Sequence, residues 1–147
     1  MRIRRLRRPA YSRAHRSFRG LSRFEFARQD SSRIADFDDV IDAHGIDQII
    51  GIYVDPETAG RSAIVVSEDG LLIVDRPTSK WVRFDEIAST VSQPMEEMSS
   101  EIRLILQDGS VAVLSVTGRN GRFRDVFAFI RFLDRVLDDI APSGERE

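Results

Sequence analysis

The chain predicts a mainly β, α+β fold in which seven antiparallel strands bend into a partly open barrel and a C-terminal amphipathic helix closes it. Three observations carry this. Between Ile46 and Thr117 the apolar residues fall in short β-branched runs separated by polar turns. Over residues 121–140 the spacing changes to three- and four-residue steps, with Phe123, Val126, Phe127, Ile130, Leu133, Val136, Leu137 and Ile140 on one stripe. Hairpins come first and the helix last, an order that argues an antiparallel sheet curved around the helix.

Each strand has its own signal. IDQIIGIYVD is β-branched and ends at the turn PETAG. SAIVV and LLIV follow, joined through Ser67-Glu68-Asp69-Gly70, where Asp-Gly suits a tight turn. Both faces of this hairpin are apolar, so it should be covered on both sides. Trp81 to Phe84 and Ile87 to Gln93 make two more strands with a bend at Asp85-Glu86. EIRLILQ and SVAVLSVT flank Asp108-Gly109, and a two-residue turn there would pair Leu106 with Val111, Leu104 with Val113 and Ile102 with Ser115. On the closing helix, Arg124, Asp125, Arg131, Asp134, Arg135 and Asp138 fall largely away from the apolar stripe.

Length and composition bound the rest. A chain of 147 residues, 41% hydrophobic, buries one core. The domain plan is an arm at 1–30, a folded domain at 31–141 and a tail at 142–147. With no cysteine there is no disulfide, thiolate zinc site or cysteine nucleophile. No apolar run approaches the ~20 residues of a membrane span, so the expectation is a soluble, cytoplasmic protein.

The net charge of -2 hides a division. Residues 1–28 hold ten arginines against Glu25, or +9, which leaves 12 basic and 23 acidic residues, or -11, for the remainder. The arm has no sustained apolar period and carries breakers at Pro9 and Gly20, so it reads as unfolded in isolation. Arg2, Arg4, Arg5, Arg7, Arg8, Arg13 and Arg16 are candidate contacts for a membrane surface or nucleic acid, with Tyr11 and the phenylalanines available to stack. The same composition suits an organelle presequence, which would move the protein out of the cytoplasm, or a solvated tail.

Ser31 and Ser32 can cap a short helix at 32–44 whose Ile34, Phe37, Val40 and Ile41 share a face, with Gly45 placed to end it. Asp36, Asp38, Asp39, Asp42, His44 and Asp47 crowd here, but their spacing lacks the central glycine and terminal glutamate of a calcium loop. A solvated helix face, and no metal, is the expectation.

The passages IVVSEDGLLIV, KWVRFDEIASTV, IRLILQDGSVAVLSV and GRFRDVFAFIRFLDRVL together resemble a bacterial pleckstrin-homology-like (PH-like) domain across roughly residues 46–141. The resemblance implies the partly open barrel with a terminal helix. It does not bring phosphoinositide binding, because Ile46 to Val66 offers only Arg61 among Asp47, Asp55 and Glu57, and the one tryptophan is Trp81 rather than a residue of the last helix.

Enzyme chemistry finds little footing. There are two histidines, His15 and His44, one lysine, Lys80, and no nucleophile elbow, phosphate loop or two-histidine helix motif. No catalytic residue and no cofactor is expected. Arg119 and Arg122, beside Gly118, Asn120 and Gly121, are candidate anion contacts ahead of the last helix, or simply part of a strand-to-helix turn. The leading expectation is a non-catalytic binding module that engages a protein partner through its acidic body. The alternative is an adaptor that grips anionic membrane or nucleic acid through the arginine arm.

Overall fold

A computed structural model gives the fold and describes residues 10–21, 23–27, 32–54, 61–92, 101–116 and 124–140. The elements are α1 (Ala10–Phe18), β1 (Phe24–Phe26), α2 (Ser32–Ala35), α3 (Asp38–His44), β2 (Ile49–Val54), β3 (Ser62–Ser67), β4 (Gly70–Asp75), β5 (Thr78–Arg83), β6 (Ile87–Ser92), β7 (Glu101–Leu106), β8 (Val111–Ser115) and α4 (Arg124–Ile140). The seven expected strands are present as β2 to β8, and a 3₁₀ turn at Phe84–Glu86 makes the expected bend between β5 and β6. The strands form two antiparallel sheets, β1-β2-β3-β4-β5 and β6-β7-β8.

Among the described residues the two sheets are not joined into a closed barrel. The β2 edge shows why it is not free to close one. There β1 pairs antiparallel, with Phe24 opposite Tyr53 and Phe26 opposite Gly51. A Cβ on Gly51 would lie 2.5 Å from the Phe24 ring and 2.6 Å from the Glu25 carbonyl oxygen, so only glycine admits β1 this closely.

This corrects the expectation of an unfolded arm for residues 10–21 and 23–27. Ala10, Ala14 and Phe18 recur every four residues on α1 and are fully buried. Phe18 stacks on Phe24 at 4.5 Å between ring centroids and meets Phe129 at 4.6 Å and Phe132 at 4.9 Å. Three apolar residues scattered among arginines make a weak periodic signal, yet they suffice when α4 and the sheet supply the other side. Gly20, at φ 91°, lies just past α1, where a left-handed residue ends a helix.

The α4 stripe is also corrected. Phe129 and Phe132, absent from the expected stripe, are fully buried, whereas Phe127 is half exposed. Docking of α1 widens the buried arc towards that flank. Val126, Leu133, Val136 and Ile140 are buried as expected.

The central hairpin is covered on both sides, as anticipated. Tyr53, Ile64, Val66, Leu71 and Val82 join the main core with α1 and α4. Ile52, Ala63, Val65, Leu72 and Val74 pack under Phe37 and Ile41 on the other face. The expected helix at 32–44 is two pieces, because the Asp36 and Phe37 N–H groups bond three residues back to Arg33 and Ile34. That tight turn accompanies the seating of Phe37 in the sheet's outer cluster. Gly45 ends α3 in the left-handed region at φ 66°.

Both Asp-Gly hairpins differ in detail from expectation. Val66 faces Leu71, so the first turn is Glu68-Asp69. Gly70 already lies in β4, where a Cβ would stand 2.2 Å from the Val82 carbonyl oxygen. In the second hairpin Ile105 faces Val111 and Leu104 faces Ala112, one residue from the anticipated register. The cause is a three-residue loop with Gly109 at φ 88°, closed by Gly109 N–H to Leu106 C=O at 2.9 Å. One step of slip turns Ala112 and Leu114 inward and Val111 and Val113 outward.

Candidate functional site

The register of the last hairpin creates an unusual edge. Leu106 N–H donates to Ser110 C=O at 2.9 Å, which fixes the phase of the β7-β8 ladder. Antiparallel pairs alternate, so Ala112 and Leu114 direct their backbone groups to β7, while Val111, Val113 and Ser115 direct theirs away from it. Among the described residues β8 pairs with β7 alone. On the edge strand itself Val111 is 50% exposed and Val113 37%; in the row that Val113 begins, Arg103 follows on β7 and Val91, 49% exposed, on β6. The β5 edge of the other sheet carries Thr78, Ser79 and Lys80, polar groups that discourage pairing; VAVLS has none but the terminal serine.

A second surface is the open groove of about 500 Å³ beside α4, lined by Arg13, Phe127, Ile130, Arg131, Asp134, Arg135 and Asp138. Arg13 of this lining is held by a bidentate pair: its Nε and Nη2 donate to the two oxygens of Asp139 at 2.9 Å each. That hydrogen-bonded carboxylate raises the Arg13 pKa above its ordinary value. At the start of α1, Glu68 accepts the Ala10 and Tyr11 N–H groups at 2.9 and 3.1 Å, a side-chain cap supplied from the β3-β4 turn.

The expected site residues disperse. Arg2, Arg4, Arg5, Arg7, Arg8, Arg119 and Arg122 lie outside the described residues. Arg13 is spent on Asp139, and Arg16 is exposed on α1. The acidic segment is held structurally: Arg76 donates to both oxygens of Asp39 at 3.2 Å each and to the Asp36 carbonyl at 3.0 Å. The Arg76 hydrogen bond holds the Asp39 carboxyl below its ordinary pKa. His44 Nε2 contacts Ser79 Oγ at 2.9 Å, and His15 packs against Tyr11 and Phe26. Among the described residues no group of three His, Cys, Asp or Glu could hold a metal ion, and no helix is long and apolar enough to cross a membrane.

One buried polar cluster escaped the sequence reading. Tyr53 donates to Asp125 Oδ2 at 2.7 Å. Burial, and then Asp125, push the phenol well above its ordinary pKa, against a smaller opposing effect of Arg23. A phenol held protonated this way ties β2 to the first turn of α4, with Asp125 and Arg23 buried beside it. Partners 72 residues apart leave no local trace in the sequence. Comparison of the chain with family models, curated proteins and solved structures finds no match.

Proposed function

We propose that this protein is a non-catalytic, PH-like binding module whose partner is a protein, taken up as an added strand on the open β8 edge. The order of the strands and the terminal α4 support the PH-like reading, with β1 a departure from the expected order. The observation that carries the binding reading is the outward row of backbone groups at Val111, Val113 and Ser115, flanked by exposed valines. Strand addition uses such an edge for affinity and the alternate side chains for selectivity. The structural employment of Arg13, His15, His44 and Tyr53 supports a module without a catalytic centre. A cytoplasmic setting goes with this reading.

The polyanion alternative has less support, since Arg13 is bound to Asp139. The test is a displayed library of extended peptides panned against the wild type and against Val113→Pro, which removes one outward N–H. Peptides should bind the first and not the second. Peptides that bind both equally would exclude the β8 edge.

A further inference from the structure

The β8 edge carries no charged side chain and is unpaired among the described residues, and we infer that its occupant is β8 of a second copy of this chain. This rests on the β8 reading above and names its partner. Two copies would meet about a two-fold axis through Val113, extending β6-β7-β8 into a six-stranded antiparallel sheet.

A two-fold contact obeys a simple rule. Each patch meets the same patch, and the residue on the axis meets its own copy. A charged residue there repels itself. This chain is 31% charged, yet the stretch from Val111 to Val116 carries no charged side chain, so it can face its own copy without repulsion. A basic peptide, by contrast, would find no counter-charge on this strand.

The backbone then selects the register. Val111, Val113 and Ser115 point their N–H and C=O groups outward, and only outward residues can be hydrogen-bonded partners across the new seam. Setting Val113 opposite Val113 of the second copy pairs all three of them, with Val111 opposite Ser115 in both directions. Shifting by two residues leaves one unpaired. The side chains agree. A two-fold axis perpendicular to the sheet keeps both outer faces on one side, so Val113 abuts its own copy and lies in one row with Arg103 and Val91. Val113, exposed in a single chain, gains cover from its own copy, and Val111 from Ser115 of the second copy. Six strands is an ordinary sheet size.

The absence of cysteine makes the test clean, because one introduced thiol is the only thiol. Opposed residues in a hydrogen-bonded pair stand ~5.5 Å apart at Cα, inside the ~4.4–6.8 Å reach of a disulfide. Val113→Cys should cross-link to itself under mild oxidation, far faster than the exposed Val91→Cys on β6. Val111→Cys alone should not, while Val111→Cys mixed with Ser115→Cys should give the mixed dimer. Sedimentation of the wild type should show a dimer that Val113→Asp converts to monomer with its circular dichroism unchanged. A wild type that sediments as monomer, with the Val113→Cys variant cross-linking no faster than the Val91→Cys variant, overturns the self-pairing. Hydrogen exchange at Val111 and Val113 then separates the two readings: fast exchange in that monomer leaves the edge open to another protein, and protection shows that it is covered from within, which removes both.

Discussion

The two sheets meet the same problem, a strand with unpaired backbone at its margin, and solve it differently. At the β2 margin the chain's own β1 closes the ladder, and α1 leads into it with Phe18 stacked on Phe24. At the β8 margin the described residues provide neither strand nor charged guard. A sheet edge left this way in a folded protein is either a hazard or a contact. The contrast teaches that α1 and β1 are part of the cooperative unit, and that the vulnerable or useful margin is β8, in the other sheet.

The largest loss is expected where α1 is unseated. Phe18→Ala removes a ring packed on three others and should cost about 4 kcal/mol in denaturant unfolding. No loss would mean that residues 10–27 do not share the core. Next comes the latch. Arg13→Ala leaves the Asp139 carboxylate buried without its partner and should cost about 3 kcal/mol. A double-mutant cycle with Asp139→Ala should show strong coupling between the two, and additive effects would contradict the bidentate pair.

Gly51→Ala tests the closed margin directly. The added methyl meets the Phe24 ring and the Glu25 carbonyl, so stability should fall by about 2 kcal/mol, with the loss of exchange protection concentrated in β1. The matching change on the open margin, Val111→Thr, should stay within about 0.5 kcal/mol in the monomer. Equal costs would erase the distinction between the two edges.

The smallest effect is on pH. Ser110 holds the Asp108 carboxyl below its ordinary pKa through hydrogen bonds from its hydroxyl and its N–H, and Arg76 does the same for Asp39. A carboxyl with a depressed folded-state pKa stabilises above its unfolded-state value and loses that contribution as pH falls through the folded-state value. Melting temperature should therefore drop slightly on acidification below the ordinary carboxylate range. Asp108→Ala should flatten part of that slope and loosen the turn that sets the β8 register.

Seven strands and the closing helix were legible because each carries a local period, and Gly45 because a helix end needs a left-handed residue. Other features were illegible for separate reasons. The β8 register hung on whether the Asp108-Gly109 loop held two residues or three, and both loops accept Asp-Gly. Phe129 and Phe132 do not stand out because their flank of α4 is covered by α1, which an unfolded arm leaves out. The candidate edge follows from that register, so its valines are visible in the sequence but fall on the wrong face.

The amino-acid order by itself determined β2 to β8 as strands and α4 as a helix, the approximate places of the reversals between them and the lack of thiol chemistry, since these depend on neighbours a few residues apart. Only the tertiary structure decided that α1 and β1 would join the core, that Arg13 would meet Asp139 and Tyr53 meet Asp125, and which valines would face solvent. Those outcomes depend on groups brought together from distant positions, and their energies exist only once both sides are in place.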